Sequence, residues 1–220
     1  MDIAIIGTGS VGSALARRFA TAGHQVFLAG RTTEAVESVA TEAGATAAAT
    51  PTAAAALADL VVLAVPFGAV EDIARAIRPV VNGKTIVDVT NPAREDWSGP
   101  LFVGNDSAAE RIAAWLPEAH VVKAFNTVFA GNLSGEAVDA AKLDGFVAAD
   151  NAGAKERVLA LVADAGLRPV DVGPTSAARQ LEQLAWLNIS LNMRPGSTWQ
   201  SGWRLVGAPA AQPAELDRAA

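Results

Sequence analysis

A glycine-rich stretch near the amino terminus has the residue types and the spacing that bind a pyrophosphate. Gly7, Gly9 and Gly12 form the pattern GxGxxG between an apolar run, residues 2–6, and a run of helical periodicity, residues 10–22. In that context Gly7 permits a tight turn, Gly9 lets the backbone approach phosphate, and Gly12 lets the helix pack closely against the strand. The helix N-terminus then directs free N–H groups at the phosphates. The stretch therefore predicts a dinucleotide site.

The sequence AGRTTEA, residues 29–35, lies where such a protein selects between NAD and NADP. An acid at the end of the second strand binds the ribose 2′-hydroxyl of NAD and repels the extra phosphate of NADP. This chain has Arg31, Thr32 and Thr33 there, and the nearest acid is Glu34. A guanidinium pairs with phosphate through two charge-assisted hydrogen bonds. We therefore expect NADP, with Arg31 as the phosphate ligand and the threonines as hydroxyl donors.

Two asparagines follow buried strands farther along the chain. Asn91 lies in VTNPA and Asn126 lies in AFNTV, each directly after an apolar run. Ligands of open α/β sheets bind at the carboxyl ends of the strands, and an amide that both donates and accepts suits a carboxamide. The alternative is that each amide caps the turn that follows it. The residues alone leave both interpretations open.

Strands and helices must alternate to bring these residues to one edge of a sheet. Apolar, β-branched runs predict strands over residues 2–6, 25–29, 45–48, 59–66, 84–92 and 120–125. Helical periodicity predicts helices over residues 10–22, 33–43, 68–81 and 107–116, with another that begins at Thr50. Such alternation indicates βαβ units with strands buried on both faces. We predict an α/β fold with a doubly wound, parallel Rossmann-type sheet.

A smaller C-terminal α/β segment follows and ends in helices. It comprises predicted strands over residues 145–150 and 167–173 and predicted helices over residues 151–166 and 176–192. We expect an NADP-binding domain over residues 1–125 and a smaller domain over residues 126–206 that closes the cleft and contributes a dimer contact. The small, polar stretch 207–220 is predicted to be a disordered tail.

Composition excludes several classes of function. The chain has no cysteine, which excludes disulfides, thiolate catalysis and cysteine-ligated metals, and we expect no metal site. Its net charge of -6 argues against nucleic acid as a partner, because phosphate backbones need a basic face. We find no apolar stretch long enough to cross a membrane and no basic leader before the first strand, so we expect a cytoplasmic protein that does not bind membranes.

The chain resembles the NADPH-dependent coenzyme F420 reductase family, the F420H2:NADP oxidoreductases. The resemblance covers residues 1–206 and rests on IIGTGSVGSALARRFATAGHQV, DLVVLAVPFGAVEDI, VDVTNP, VVKAFNTVFAGNL and LRPVDVGPTSAARQLEQLAWLNISLNM. The VVKAFNT and PVDVGP segments are the specific ones, since many oxidoreductases share the glycine loop. The same nucleotide-binding domain recurs in the cytosolic part of the six-transmembrane metalloreductases.

The resemblance implies hydride transfer between NADP(H) and the deazaflavin coenzyme F420, whose ring stacks on the nicotinamide. It implies that Thr8, Ser10 and Val11 line the pyrophosphate and that Arg31 and Thr32 meet the 2′-phosphate. It places the remaining nucleotide and nicotinamide contacts at Val65, Pro66, Phe67, Asn91, Pro92, Ala124 and Phe125, and the catalytic positions at Asn126 and Thr127. Archaeal members have His-Thr where this chain has Asn126-Thr127, at the hydride site, so an ionisable group is absent there.

The implied reaction suits a chain without cysteine or tyrosine. Hydride transfer between two cofactors requires rings held about 3–3.5 Å apart, and the cofactors carry the chemistry. Two other functions stay open. One is a reductase with a different acceptor, either a flavin (FMN or FAD) or metal, or a small imine or carbonyl. The other is an NADP-binding sensor without turnover.

Two features have two interpretations each. Lys123, inside an apolar strand, either extends its ammonium to solvent from an edge or stabilises the charge of the reduced deazaflavin. The C-terminal segment carries four large arginine and tryptophan side chains, Arg194, Trp199, Trp203 and Arg204. They either bind the anionic tail of F420 or form the interface of a homodimer.

Overall fold

The computed structural model describes residues 1–134 and 143–207, so the predicted tail lies outside the described residues from residue 208 onward. Within them the strands are β1 Asp2–Ile6, β2 Gln25–Ala29, β3 Thr46–Ala47, β4 Leu60–Leu63, β5 Thr85–Asp88, β6 His120–Lys123, β7 Asp144–Ala149 and β8 Arg168–Asp171. The helices are α1 Ser10–Thr21, α2 Thr33–Ala43, α3 Pro51–Leu57, α4 Val70–Ile77, α5 Ala108–Trp115, α6 Ala130–Ser134, α7 Ala152–Asp164 and α8 Ala178–Asn192.

The strands form one twisted sheet in the order β3-β2-β1-β4-β5-β6-β7-β8. Neighbouring strands are parallel except β6 and β7, where Val122 lies opposite Ala149. The chain runs outward from β1 to β3 and then returns to β4 on the other side of β1. The predicted doubly wound α/β sheet is confirmed, with an antiparallel step that the strand pattern did not indicate. The switch between β1 and β4 opens the crevice in which such sheets bind ligands.

Helices cover both faces of the sheet because its central strands are apolar on both sides. One core cluster joins the sheet to α1, α2 and α7, and it includes Leu15, Phe19 and Leu161. The other joins it to α3, α4 and α5, and it includes Ile77 and Ile112. All four residues of β4 are buried.

Several strands are shorter than the apolar pattern predicts, and the difference is largest in β4 and β5. β4 ends at Leu63 and β5 ends at Asp88, so the last residues of the predicted runs 59–66 and 84–92 leave the sheet. Asp88 terminates its own strand, because its Oδ1 accepts a hydrogen bond from the N–H of Thr90 at 2.8 Å. Pro66 and Pro92 follow, and proline has no N–H for a sheet. The released segments form the rim of the crevice.

β7 and β8 extend the same sheet rather than forming a second one. β7 pairs with β6, and β8 pairs with β7. The boundary expected at residue 125 remains a prediction. Because β7 is antiparallel to β6, it begins at the edge where β6 ends, which brings the start of the C-terminal segment to the crevice edge. In residues 1–134 and 143–207, no helix combines the length and the hydropathy that a membrane crossing requires.

Candidate functional site

A cleft of about 870 Å³ opens at the switch point between β1 and β4. Its walls come from the segments that follow β1, β2 and β4, with α3 and α4 on one side. The lining residues are Ile6, Gly7, Thr8, Gly9, Gly30, Arg31, Thr32, Ala35, Pro51, Ala64, Val65, Pro66, Ala69 and Ile73. Seven predicted nucleotide contacts therefore meet in one cavity. The predicted residues Ser10, Val11, Gly12 and Phe67 flank it in the chain without lining it.

The three glycines of the loop differ in the room that each has for a side chain. Gly7 has a φ of +124°, and a Cβ there would lie 2.1 Å from the carbonyl oxygen of Ala64. A Cβ on Gly12 would lie 2.1 Å from the carbonyl oxygen of Gly7. Gly9 is different: its φ is −74°, and nothing lies within 4 Å of a Cβ placed there. The fold requires Gly7 and Gly12, whereas the space beside Gly9 is open to the cleft.

Helix α1 begins directly after this space and has no capping side chain. Gly9 is its N-cap residue, no side-chain oxygen accepts from the first turn, and that turn carries no acid. The first N–H groups of an α-helix have no partner within the helix. They and the positive end of the helix dipole therefore stay available to an anion.

Arg31 stands at the far end of the cleft, between two cavities. It lines the main cleft and also a smaller cavity of about 270 Å³ that includes Thr33, Glu37 and Ala48. Gly30 lets this turn approach the glycine loop, because a Cβ on Gly30 would lie 3.1 Å from Oγ1 of Thr8. Arg31, Thr32 and Thr33 are exposed. A cation and hydroxyl donors thus lie together at this end of the cleft.

Asn91 and Asn126 bind each other across the ends of β5 and β6. Nδ2 of Asn91 donates to the carbonyl oxygen of Asn126 at 2.6 Å, and Nδ2 of Asn126 donates to Oδ1 of Asn91 at 2.9 Å. Nδ2 of Asn126 also donates to the carbonyl oxygen of Leu181 in α8 at 3.1 Å. Neither amide is a simple turn cap. The pair joins two strand ends and one helix into a single polar unit.

Three buried side-chain oxygens at this edge have no hydrogen-bond partner: Oδ1 of Asn126, Oγ1 of Thr127 and Oγ1 of Thr90. The residues that carry them are 6%, 3% and 4% exposed. Leaving such an atom buried and unpaired costs about 1–3 kcal/mol, so unpaired native groups call for a partner. A carboxamide, which offers both donor and acceptor, suits this set. The predicted residues Asn126 and Thr127 thus carry unpaired polar atoms, while both polar side-chain atoms of Asn91 have a partner.

Phe125 turns the chain sharply between β6 and Asn126. Its φ is +62°, a left-handed conformation that is rare for a residue with a large side chain. Its buried ring packs edge-on against Phe19, with the ring centroids 5.9 Å apart. Strained backbone of this kind clusters at functional sites. Phe125 and the buried Ala124 therefore shape the backbone of the site, whereas the cleft itself is lined by other residues.

The position of Lys123 contradicts both interpretations that the sequence left open. It is fully buried, so it does not extend to solvent, and its ammonium faces two carboxylates rather than the cleft. Nζ lies 2.8 Å from Oδ2 of Asp88 and 2.8 Å from Oε1 of Glu182, and it donates to the carbonyl oxygen of Thr90 at 2.6 Å. The three donors of the ammonium are all engaged. We call Asp88, Lys123 and Glu182 the buried ion cluster.

Glu182, like Asp88 and Thr90, is a residue of this region that the sequence pattern did not indicate. It is 5% exposed, and its Oε1 also accepts from the N–H of Ala108 at the start of α5, at 2.9 Å. Burial raises the pKa of Glu182, although the charge and hydrogen bond of Lys123 oppose that rise. A signal was present in the sequence, because Glu182 falls on the buried face of α8 with Ala178 and Ala185. A charge on an apolar helical face indicates a paired, buried group.

The residues after α8, 193–207, form a segment that we call the C-terminal strap. The N–H of Asp144 donates to the carbonyl oxygen of Trp203 at 2.9 Å. Asn132 donates to the carbonyl oxygen of Ser201 at 3.2 Å, and the ring of Trp199 packs against Phe129 with the centroids 5.3 Å apart. The strap is therefore attached to the start of β7 and to α6, beside the end of β6. Trp203 packs into a small apolar cluster, while Arg194 and Arg204 are exposed.

Comparisons with known proteins agree with this geometry. Residues 2–92 match the model of a family described as "NADP oxidoreductase coenzyme F420-dependent". The F420-dependent NADP reductase of Methanothermobacter thermautotrophicus is 35% identical over 95% of this chain and 96% of its own. A structure from Arthrobacter sp. FB24, provisionally named an F420-dependent NADP-reductase, is 29% identical over 93% of this chain and 99% of its own, with a TM-score of 0.81. Human metalloreductase STEAP2 is 31% identical over 49% of this chain but only 21% of its own.

Proposed function

Because the chain belongs to the coenzyme F420-dependent NADP oxidoreductase family, we propose that it is an oxidoreductase that transfers a hydride between NADP(H) and coenzyme F420. The observation that carries this proposal is the cleft at the switch point, which combines an open glycine loop with Arg31 and presents no acid at the expected ribose position. The reductase from Methanothermobacter thermautotrophicus is similar over nearly its whole length.

The nucleotide half of the site holds NADP by charge and by close approach. In this proposal the pyrophosphate lies beside Gly9 against the N–H groups of α1, and the 2′-phosphate lies against Arg31 and Thr32. A guanidinium–phosphate pair is a charge-assisted contact, so it favours NADP over NAD. Val65 and Pro66 form the apolar wall from which the nucleotide continues toward the ends of β5 and β6.

The hydride end of the site orients the nicotinamide rather than reacting with it. NADP(H) and F420 supply the redox chemistry when bound, and the chain supplies their alignment. Oδ1 of Asn126 accepts from the carboxamide and the hydroxyl of Thr127 donates to it, which satisfies atoms that are otherwise buried without partners. A ring fixed by two such contacts loses rotational freedom before the reaction, which is the main contribution that positioning makes.

The C-terminal strap is the segment we propose for the F420 side of the cleft. It lies at the edge where β6 ends, and Arg194 and Arg204 are exposed on it. F420 carries a phosphodiester and a glutamate chain, both anionic, so arginines beside the ring are suited to its tail. This assignment supports the smaller C-terminal segment as the part of the chain that closes the cleft.

We propose in addition that the protein is a cytoplasmic homodimer. Support for the dimer comes from α8, where Leu187 and Leu191 are 49% and 40% exposed and Met193 follows at 48%. Leu187 and Leu191 lie about one turn apart on the same helix face, and exposed apolar side chains grouped in this way are typical of a subunit interface. Sedimentation analysis of the wild type and of Leu187→Glu tests it: the proposal requires a dimer that the substitution dissociates, and a monomeric wild type contradicts it. Cell fractionation tests the location.

A spectrophotometric assay tests the proposed reaction. Purified protein is mixed anaerobically with NADPH and, separately, F420, FMN or FAD. We expect the absorbance of F420 to bleach with NADPH oxidation, and much more slowly with NADH. Turnover with a flavin alone would move the function to a flavin reductase. NADPH binding without turnover of any acceptor would favour a sensor.

A further inference from the structure

The buried ion cluster is not explained by stability. Asp88 and Lys123 are fully buried and Glu182 is nearly so. Desolvation of buried charges offsets much of their attraction, and apolar replacements are often as stable. The cluster also contains two carboxylates for one ammonium, so Glu182 is not needed to neutralise Lys123. A role other than holding the fold together is therefore the better explanation of this residue.

The first arm of the cluster fixes the segment that follows β5. Asp88 accepts from the N–H of Thr90 at 2.8 Å, and Lys123 donates to the carbonyl oxygen of Thr90 at 2.6 Å. Thr90 is thus held on both sides of its backbone, and the next residue is Asn91. Because Asn91 binds Asn126 through both side chains, the position of Thr90 sets that of the asparagine pair.

The second arm reaches the same pair through α8. Glu182 binds Lys123 with the oxygen that also accepts from Ala108, so it ties α8 both to the end of β6 and to the start of α5. The preceding residue, Leu181, offers the carbonyl oxygen that accepts from Nδ2 of Asn126. A displacement of α8 at Glu182 therefore moves a direct partner of the asparagine at the hydride site.

We propose that Glu182 is a positioning residue: through Lys123 and α8 it fixes Asn126, and thereby the nicotinamide, for hydride transfer. The inference rests on the proposed function, because the nicotinamide is assigned to this edge by it. Glu182 itself does not touch either ring. Its effect depends on the reach of its side chain rather than on its charge, since a neutral acceptor of the same length serves both Lys123 and Ala108.

Two substitutions separate reach from charge. Glu182→Gln keeps the length and one acceptor oxygen but removes the charge, whereas Glu182→Asp keeps the charge and shortens the side chain by one methylene. Glu110→Asp is the matched control. Glu110 links α5 to α8 through Arg179, whose Nε donates to its Oε2 at 2.8 Å, and its carboxylate also accepts from the hydroxyl of Ser107. The Glu110→Asp variant shows how much kcat changes when only the contact between α5 and α8 is weakened.

The readouts are kcat and KM for NADPH with F420, the melting temperature, and the fluorescence of NADPH bound without acceptor. We expect Glu182→Asp to lower kcat by about 10- to 100-fold, as small misplacements do, while KM for NADPH changes less than about threefold, because the phosphate contacts are remote. NADPH bound to Glu182→Asp should fluoresce less than NADPH bound to the wild type. Glu182→Gln and Glu110→Asp should keep kcat within about threefold of the wild type.

The proposal is overturned if Glu182→Asp keeps its kcat, if Glu182→Gln loses as much as Glu182→Asp, or if Glu110→Asp falls in parallel with it. The fluorescence readout keeps the test independent of the acceptor. A wild type that does not reduce F420 would refute the proposed function, yet a loss of bound-NADPH emission in Glu182→Asp, with retention in Glu182→Gln, would still support the positioning role. Equal emission from the two variants would refute it.

Discussion

Two glycines of one loop should respond in opposite ways to the addition of a single methyl group. Gly9→Ala places a Cβ where nothing lies within 4 Å, at a φ of −74° that alanine adopts freely. Loss of backbone freedom in the unfolded chain stabilises such a variant by about 0.4–1 kcal/mol. Alanine is a poorer N-cap residue than glycine by a comparable amount. We therefore expect the free energy of unfolding to stay within about 1 kcal/mol of the wild type.

Nucleotide binding should nevertheless fall in Gly9→Ala. The added methyl group occupies the space in which the pyrophosphate approaches the loop, and overpacking by a methyl group costs about 1–3 kcal/mol. At about 1.4 kcal/mol per factor of ten, the Kd for NADPH should rise about 5- to 150-fold. Gly12→Ala should show the reverse order of effects, because its Cβ would lie 2.1 Å from a carbonyl oxygen of the loop. We expect it to lose about 1–3 kcal/mol of stability before any effect on binding is considered.

Urea unfolding and titration of NADPH fluorescence measure these two quantities on the same preparations. Gly9→Ala should be folded and weak in binding, and Gly12→Ala should be unstable. The assignment of the cleft is refuted if folded Gly9→Ala binds NADPH as tightly as the wild type. If Gly12→Ala is as stable as Gly9→Ala, the fold does not require glycine at position 12.

Three further substitutions probe the proposed phosphate contact, the proposed hydride site and the strap. Arg31→Ala should weaken NADPH binding by about 1.5–3 kcal/mol with little effect on NADH, whereas the exposed Arg78→Ala should alter neither, as calorimetry can check. Thr127→Val removes a buried hydroxyl without a partner, so it should lower kcat with F420 while denaturant unfolding shows no loss of stability; a less stable variant with full activity would contradict the role. Burial alone would raise the pKa of Asp144, but hydrogen bonds from Arg168 and from the N–H of Leu205 lower it below the ordinary 3.8. Because folding lowers this pKa, ionised Asp144 stabilises the folded protein at pH values above the ordinary pKa. That stabilisation is lost as the pH falls through the lowered pKa. The stability advantage of the wild type over Asp144→Asn should therefore shrink in urea titrations as pH falls through about 4, and a constant difference would contradict it.

The glycine loop and the Arg31 turn could be predicted because their chemistry is local. Each lies within a few residues of the strand or helix that positions it, so spacing along the chain describes the geometry. The pairing of Asn91 with Asn126 depends instead on the neighbouring strands β5 and β6, which place Asp88 opposite Lys123. Both asparagines were predicted as site residues, but their mutual hydrogen bonds could not be.

The buried ion cluster lies farther from what the sequence can show. The charge of Lys123 within an apolar strand was visible, but its partners come from β5 and from α8, the latter 59 residues away. Only the packing of α8 over the strand ends decides that Glu182 meets this lysine. The left-handed backbone of Phe125 likewise depends on the surrounding core, since nothing about phenylalanine favours it.

Transfer of deuterium from labelled NADPH to F420 shows whether hydride passes directly between the two cofactors. NADPH deuterated at C4, on one face and then on the other, is incubated anaerobically with F420 and the wild-type protein, and the reduced coenzyme is analysed by mass spectrometry. We predict that F420H2 carries the deuterium from one of the two labelled forms and none from the other. Reduced F420 without label from either form, or no reduced F420 at all, would contradict direct hydride transfer between the two cofactors.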